Sequence, residues 1–259
     1  MKAMIFAAGL GTRLKPLTDT MPKALVPLAG KPLLQWQVEK LRDAGITNII
    51  VNVHHFPDQI INTIRANNGW GCNIVISDER DQLLDTGGGL RKALQHSSIH
   101  PFIHSPLLAC NVDILSNIDL RALISTYTRQ SRPSSLLVVS DRQTQRYLCF
   151  DDHDYLCGWT NVATGEVKPA ALHHTPYTIH HLAFSGMQIL SPEILARLDE
   201  MPQEKFSLID FYLHLCEQNP TPYTLHPTPL KAYVPSDYRM MDVGKIDQIE
   251  EAERFAKSL

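Results

Sequence analysis

The chain has 259 residues, 44% of them hydrophobic and 20% charged, which is typical of a globular protein that can build a sizeable core. Its net charge of −3 argues against a nucleic-acid partner, although a local basic pocket is compatible with it. No apolar run reaches the about 18 residues that a membrane span needs, so no membrane partner is expected. The five cysteines are scattered without a Cys-x-x-Cys pair, and no targeting pattern precedes the first predicted strand. These features predict reduced thiols and a cytoplasmic protein.

A glycine loop follows the first predicted strand. Residues 4–8 are small and apolar, which predicts a buried strand, and Gly9 and Gly11 come next. A strand that runs into such a loop directs several backbone N–H groups at one point, which suits an anion such as phosphate. Arg13 and Lys23 add two cations near that point.

The glycine pair has other interpretations when it is taken alone. A Gly-x-Gly after a strand is equally typical of a simple strand-to-helix turn. The dinucleotide-binding pattern needs a third small residue where Leu14 stands, and no Gly-x4-Gly-Lys-Ser/Thr phosphate loop occurs in the chain. The sequence therefore argues against a dehydrogenase and offers no P-loop.

Strands and helices alternate through the first half of the chain. The predicted strands span 47–53, 73–76 and 107–110, and the predicted helices span 32–44, 57–67, 90–95 and 119–130. This alternation predicts a parallel, doubly wound sheet with right-handed crossovers. Ligands of such sheets bind beyond the carboxyl ends of the strands, which is where the glycine loop lies.

The second half of the chain consists mostly of predicted extended segments. Strands are predicted within 134–151, at 155–159 and at 182–190, with a hairpin tip at 152–154. Helices are predicted at 193–198, 207–216 and 245–257, and the proline-rich stretch 220–235 predicts one edge strand. Three pairs of adjacent histidines would face opposite ways on a strand, so no zinc site is expected.

Polar residues stand at the ends of several predicted elements. Thr86 precedes three consecutive glycines, which form either a flexible turn or a backbone that passes flat against a base or ribose. Asp113 follows the strand at 107–110, and Asp242 follows a short strand late in the chain. Each carboxylate has an alternative role as a turn or helix cap.

The order and spacing of residues near the N-terminus resemble the signature of the sugar-1-phosphate nucleotidyltransferases, the nucleotide-sugar pyrophosphorylases. The matching residues are Ala7, Ala8, Gly9, Gly11, Thr12, Arg13, Leu14, Pro16, Leu17, Thr18, Pro22, Lys23, Leu25, Pro27, Gly30, Lys31 and Pro32. The resemblance continues weakly along nearly the whole chain. It is particularly marked for the short bacterial members that uridylylate N-acetylmuramate 1-phosphate.

The resemblance implies a fold and a domain organisation. The fold would be α/β, with a Rossmann-like, doubly wound, mixed and mostly parallel sheet of the GT-A-like nucleotidyltransferase type and a small antiparallel insertion on the sugar side. One domain would span 1–259, with a nucleotide-binding half at 1–130, a sugar-binding half at 131–235 and a C-terminal helix at 236–259. No left-handed β-helix domain is expected, and the protein would be a monomer or a small homo-oligomer.

The resemblance also implies residues that bind the nucleotide and the metal. The nucleotide-binding residues would be Ala7, Ala8, Gly9, Gly11, Thr12, Thr86, Gly87 and Gly88. Arg13 and Lys23 would be catalytic, and Asp113 and Asp242 would hold Mg²⁺. Val112 stands where the family usually has a Gly before the first metal-binding Asp.

On the sugar side, the match to the family is weaker. Asn111, Gly186 and Lys168 would contact the sugar. Val167 interrupts the family's Glu-Lys-Pro sugar motif around Lys168, and exposed hairpin charges are the simpler interpretation there.

The implied reaction transfers a nucleotidyl group from a nucleoside triphosphate, UTP in the first hypothesis, to N-acetylmuramate 1-phosphate or a related hexose 1-phosphate, with release of pyrophosphate. The alternative is a guanylyl- or cytidylyltransferase that acts on mannose 1-phosphate, heptose 1-phosphate or phosphocholine. A different class is a catalytically silent regulatory subunit that binds a nucleotide sugar. Retention of Arg13, Lys23, Asp113 and Asp242 argues against the silent subunit.

Overall fold

The structure is a computed structural model that describes residues 1–95, 105–131, 134–174, 178–218 and 228–259. The strands are β1 (Lys2–Phe6), β2 (Pro27–Leu28), β3 (Lys31–Pro32), β4 (Asn48–Val53), β5 (Asn73–Asp78), β6 (Leu107–Asn111), β7 (Ile114–Ser116), β8 (Ser135–Ser140), β9 (Arg146–Phe150), β10 (Leu156–Asn161), β11 (Glu166–Lys168), β12 (His180–Leu190), β13 (Leu230–Tyr233) and β14 (Met240–Asp242). The α-helices are α1 (Leu33–Asp43), α2 (Pro57–Ala66), α3 (Asp85–Gln95), α4 (Leu120–Thr128), α5 (Pro192–Ala196), α6 (Leu208–Glu217) and α7 (Ile249–Ala256).

A parallel half-sheet carries the N-terminal part of the chain. Its strands lie in the order β6-β1-β4-β5, and all three neighbouring pairs are parallel. All four strands have an apolar centre, and β4 and β5 are also rich in β-branched residues. Helices α1, α2 and α3 supply the connections that parallel pairing requires. The carboxyl ends of the strands therefore share one edge of the sheet, as the sequence predicted.

The two faces of the sheet are covered by different helices. Ala3 and Ile5 of β1 belong to the core under α1, α2 and α4, whereas Met4 and Phe6 belong to the core under α3, α5 and α6. This alternation is the period of two expected of a strand that is buried on both sides. Each fully buried Leu or Ile contributes about 1.5–3 kcal/mol to the two cores.

Antiparallel strands complete a ten-stranded mixed sheet within the described residues. The long strand β12 pairs antiparallel with β6, β8 and β9, and the β9–β10 and β10–β11 pairs extend the sheet on that side. The Asp151 carboxylate accepts the backbone N–H groups of His153 and Tyr155, which closes the predicted hairpin tip. The mixed α/β fold agrees with the fold class predicted from the sequence.

The C-terminal part returns to the parallel half. Strand β14 pairs antiparallel with β7, with Asp242 opposite Ile114. The predicted helix at 245–257 consists of a short 3-10 turn followed by α7. The proline-rich prediction at 220–235 lies partly outside the described residues, although β13 falls within it.

One helix boundary was predicted wrongly. Helix α3 begins at Asp85 and not at Leu90, so the three glycines lie inside its first turns. Across the parts of the chain that the structure describes, no helix has both the length and the apolar character needed to cross a bilayer.

Candidate active site

A cleft of about 430 Å³ opens at the carboxyl edge of the parallel strands. This volume is within the range of small-molecule sites. Predicted site residues that line it are Ala7, Ala8, Gly9, Gly11, Thr12, Arg13, Lys23, Thr86, Asn111 and Asp113. Gly87, Gly88, Gly186, Lys168 and Asp242 are not in its wall, although Gly244 beside Asp242 is.

The glycine loop is fixed in a tight turn at one wall of the cleft. Gly11 has a φ of +65°, and a Cβ there would lie 2.8 Å from the methyl carbon of Thr18. The Thr18 hydroxyl and the Leu14 N–H both donate to the Gly11 carbonyl at 2.8 Å. Only glycine fits this combination of positive φ and close approach. Gly9, in contrast, has open space around it.

Four charged side chains gather beside the loop. Lys23 and Asp113 form an ion pair in which the two side chains are 10% and 18% exposed. The Arg13 guanidinium lies 4.0 Å from the carboxylate of Asp242 in a more open position. Each of the two cations predicted to lie near the loop therefore contacts a carboxylate from a distant part of the chain.

The backbone explains how the two carboxylates meet. Asp113 lies between β6 and β7, and β14 pairs with β7 so that Asp242 lies opposite Ile114. The Val243 N–H donates to the Asp113 carbonyl at 2.8 Å. Burial raises the pKa of Asp242, the negative charge of Asp113 raises it further, and nearby cations oppose the shift. The two carboxylates are thus close enough to interact electrostatically.

This donor set fits a magnesium ion. Mg²⁺ prefers oxygen ligands and is commonly held by one or two carboxylates together with substrate phosphates. Among the described residues, no group of three or more His, Cys, Asp or Glu side chains is arranged to hold a metal without such help. Asp113 and Asp242 would supply the carboxylates, and the cleft beside the glycine loop has space for phosphates.

A comparison with known families identifies the family of the chain. The family model described as nucleotidyl transferase matches residues 2–258, almost the whole chain. The chain belongs to the nucleotidyl transferase family.

Named relatives of this nucleotidyl transferase include bacterial enzymes. It is 31% identical to the N-acetylmuramate alpha-1-phosphate uridylyltransferase of Caulobacter vibrioides over 223 residues, which cover 82% of this chain and 83% of the relative. It is 42% identical to the Neisseria meningitidis protein of the same name over 126 residues, which cover 49% of this chain and 52% of the relative. The chain spans about half the length of that second relative.

A solved structure supports the fold. The crystal structure of HddC from Yersinia pseudotuberculosis complexed with GMP-PN superposes with a TM-score of 0.69, covers 98% of this chain and 99% of that one, and is 22% identical. At this identity the likeness establishes the shared fold of the nucleotidyl transferase.

The second glycine run has a packing role in the structure. The N–H groups of Gly87 and Gly88 donate to the Phe206 carbonyl at 2.9 and 3.0 Å. A Cβ on Gly87 would lie 2.4 Å from the Phe206 ring, and one on Gly88 would lie 2.3 Å from the Glu204 carbonyl oxygen. Thr86 alone of the predicted Thr-Gly-Gly residues lines the cleft. The prediction of a glycine turn in front of the helix was therefore wrong in its geometry.

Sequence reasoning missed a buried polar network behind the loop. The Asn52 side-chain oxygen accepts the Ala7 N–H at 2.8 Å, and its amide nitrogen donates to the Glu79 carboxylate at 2.7 Å. The other carboxylate oxygen of Glu79 accepts the Leu84 N–H at 3.2 Å. Glu79 is fully buried, and that burial raises its pKa. The missed signal was a polar Asn within an otherwise apolar core strand.

The predicted sugar-side residues occupy two places. Gly186 has a φ of +68° and leaves no room for a Cβ, which would lie 2.8 Å from the Asn111 amide nitrogen. Asn111 faces the cleft. Lys168 is not in that wall: it pairs with Glu166 at 2.9 Å and lines a second cleft.

Lys205 is a further cation in the cleft wall that the sequence analysis did not single out. It belongs to the segment that packs on Gly87 and Gly88. That segment carries no recognisable ligand-binding motif, and the capped helix that follows it gives no sign that Lys205 lines a cleft.

Proposed function

We propose that this nucleotidyl transferase moves a uridylyl group from UTP to N-acetylmuramate 1-phosphate or a related hexose 1-phosphate and releases pyrophosphate. One observation carries the proposal: a tight glycine loop, two cations and the Asp113 carboxylate line a single cleft, and Asp242 lies beside it against Arg13. The names of two bacterial relatives supply the choice of substrates.

The bond changes balance without an added base. A non-bridging oxygen of the sugar 1-phosphate attacks the α-phosphorus and forms a new P–O bond, while the bond from that phosphorus to the oxygen that bridges the α- and β-phosphates breaks, and this oxygen leaves as part of pyrophosphate. A phosphate monoester is already anionic at neutral pH, so no proton has to be removed from the nucleophile. Catalysis then depends on positioning and on neutralising charge.

The residues divide this work. Arg13 and the N–H groups of the glycine loop would hold the terminal phosphates and stabilise the leaving pyrophosphate. Lys23 would neutralise charge at the α-phosphate, with Asp113 as its counter-charge in the free protein. Asp113 and Asp242 would hold Mg²⁺, which when bound neutralises phosphate charge and orients the triphosphate.

The decisive assay measures pyrophosphate release with each of four nucleoside triphosphates against a panel of sugar phosphates. UTP with N-acetylmuramate 1-phosphate should give the highest kcat/KM. Higher kcat/KM with GTP or CTP and mannose or heptose 1-phosphate, or with CTP and phosphocholine, would replace the proposed substrates. Absence of turnover with every pair would favour a silent binding subunit.

Arg13→Ala tests the role of the loop. Loss of one such charge-stabilising group commonly lowers the rate about 10²–10³-fold. Lys15→Ala is the matched control, because Lys15 is an exposed cation on the same segment that pairs with Asp19 and does not line the cleft. The proposal predicts a large loss for Arg13→Ala alone, with both melting temperatures near that of the parent. Equal activity in the two variants would remove Arg13 from the mechanism.

Asp242→Asn tests the metal proposal. Chelation by EDTA should abolish turnover and added Mg²⁺ should restore it, with Asp242→Asn needing a higher Mg²⁺ concentration for half-maximal rate. Asp113→Ala is a poorer test, since it leaves the buried cation Lys23 without its counter-charge and should also lower stability. Undiminished turnover in excess EDTA would refute magnesium dependence.

We also propose a cytoplasmic location. All five cysteines are free, which suits a reducing compartment.

A further inference from the structure

A second cleft of about 490 Å³ lies on the antiparallel side of the molecule. We call it the cationic cleft, because Arg142, Arg146 and Lys168 line it together with the rings of Tyr147, Trp159 and Phe184. Clefts of this composition suit an organic ligand that offers both an apolar face and a negative charge.

The charges of the cationic cleft are not balanced within its wall. Asp210 is an acidic lining residue, but its carboxylate accepts the backbone N–H and the hydroxyl of Ser207 at 3.0 and 2.7 Å and so caps α6. Lys168 is paired with Glu166 at 2.9 Å. Neither Arg142 nor Arg146 forms a salt bridge with any residue that the structure describes. Two guanidinium groups are thus available to an anion.

The cationic cleft adjoins the active site on two sides. On one side, the N–H of Leu208, which lies between two lining residues of the cationic cleft, donates to the hydroxyl of Thr86 at 2.9 Å, and Thr86 lines the active-site cleft. On the other side, Arg142 donates to the Phe184 carbonyl at 2.9 Å, and the same strand passes against Asn111 of the active-site cleft at Gly186. A substrate that lies beside Asn111 can therefore extend toward these arginines.

From this arrangement, which rests on the proposed function, we propose that Arg142 and Arg146 bind a carboxylate carried by the sugar and make the enzyme selective for acidic hexose 1-phosphates. The guanidinium fork matches a carboxylate in a bidentate geometry. The rings of Tyr147 and Trp159 give the apolar face of a sugar a surface to pack on. Neutral hexose 1-phosphates lack the group that these two arginines recognise.

The test compares two acceptors that differ in the acidic group. N-acetylmuramate 1-phosphate carries a lactyl carboxylate, and N-acetylglucosamine 1-phosphate lacks it. The parent protein should prefer the acidic acceptor, and Arg146→Gln should lower kcat/KM for that acceptor about 10–100-fold, through KM, as expected when a charged hydrogen bond is lost. The same variant should leave kcat/KM for the neutral acceptor within about twofold. Arg146→Lys should recover part of the preference, because it keeps the charge without the fork.

Two further variants separate charge recognition from a general disturbance. Arg65→Gln removes an exposed arginine on α2, far along the chain from the cationic cleft, and should change neither acceptor. Arg142→Gln should resemble Arg146→Gln in selectivity, with an added loss on both acceptors since it also removes the hydrogen bond to the Phe184 carbonyl.

The outcomes distinguish the two proposals. An Arg146→Gln variant that slows both acceptors equally, or a parent enzyme that prefers the neutral acceptor, overturns the carboxylate-binding inference while uridylyl transfer stands. A parent protein that releases no pyrophosphate with any nucleotide and acceptor overturns the proposed function, and the inference falls with it.

Discussion

The glycines of α3 allow a sharp test of packing against ligand binding. We choose Gly88→Ala, because the neighbour of the added methyl group is backbone and cannot rotate away. The new Cβ would lie 2.3 Å from the Glu204 carbonyl oxygen and 3.1 Å from the Cβ of Leu84. The segment at 204–206 must therefore move.

The expected cost follows from three contributions. Overpacking a closely packed contact costs about 1–3 kcal/mol. Moving the segment also weakens the hydrogen bond from the Gly88 N–H to the Phe206 carbonyl, which is worth about 1 kcal/mol. Alanine regains about 1 kcal/mol through its higher helix propensity. The net loss is about 2 kcal/mol in the free energy of unfolding, or about 4–8 °C in melting temperature for a domain of this size.

Gly9→Ala is the matched control. An added methyl group on Gly9 would have no atom within 4 Å, and Gly9 has no positive φ, so the free energy of unfolding should change by less than about 0.5 kcal/mol. Gly9 lines the active-site cleft, so the same variant should lose pyrophosphate release. Thermal denaturation followed by circular dichroism measures the first effect, and the pyrophosphate assay below the melting transition measures the second.

A Gly88→Ala variant that melts with the parent protein would refute the packing argument. If that variant also lost activity well below its melting temperature, the role of Gly88 would lie in binding the nucleotide, as the family resemblance implied. Under that second interpretation, Gly88→Ala would give the same result as Gly9→Ala, namely lost activity with unchanged stability.

Three further predictions concern buried groups. Burial lowers the pKa of Lys40 from 10.5 to about 8, so between these pH values the folded protein binds fewer protons than the unfolded chain. As the pH rises through this interval, the stability of the parent in urea titrations should increase by up to about 1.4 kcal/mol per pH unit relative to that of Lys40→Met. Parallel pH profiles of stability for the two proteins would contradict this. Cys72 is half-buried and the other four cysteines are buried, so a thiol reagent should label about one thiol quickly in the folded protein and all five in urea; rapid native labelling of several would contradict the burial. The Glu79 carboxylate accepts hydrogen bonds from Asn52 and from a backbone N–H, whereas the amide of Glu79→Gln has an oxygen that accepts and a nitrogen that donates. The unsatisfied buried donor should lower the free energy of unfolding, measured by urea denaturation, by about 1–3 kcal/mol. An unchanged denaturation midpoint would show that the network rearranges.

The parallel half of the fold could be predicted from local patterns. The strands at 47–53 and 107–110 differ from the observed β4 and β6 by one residue at one end, because short apolar runs between helices have few alternatives. The long strand at 182–190 was also predicted, but its antiparallel pairing with β6 was not. Pairing between distant segments depends on the whole core and leaves no local signal.

The glycine run shows how tertiary contacts override propensity. Gly is a poor helix former, so three glycines predicted a turn before the helix. The helix nevertheless includes Gly87, Gly88 and Gly89, because any side chain there would collide with residues 204–206 or with Glu79. The glycines in the sequence indicate that another part of the chain packs closely against this helix, but not which part.

Some residues of the candidate site could be predicted from the sequence and others could not. Arg13 and Lys23 could be expected near the loop because they are close to it in the chain. The prediction that Asp113 and Asp242 lie near each other came from the resemblance to a family. The physical cause of their proximity is the pairing of β7 with β14. Lys205 was missed because nothing in its sequence neighbourhood distinguishes a cleft residue from a surface residue. Asn52 was missed although a polar residue in an apolar core strand is a local signal.

The buried Lys23–Asp113 pair is best explained by function and not by stability. Taking two charges out of water costs several kcal/mol for each ion, and their attraction rarely does more than offset that cost. An apolar pair of similar size would stabilise this position at least as well. The pair lies where the glycine loop, β6 and β14 converge, and Asp113 also acts on the pKa of Asp242. Under the proposed function, the site must receive phosphate charge and needs a fixed cation at that point, and Asp113 would hold the Lys23 ammonium in position before any ligand arrives.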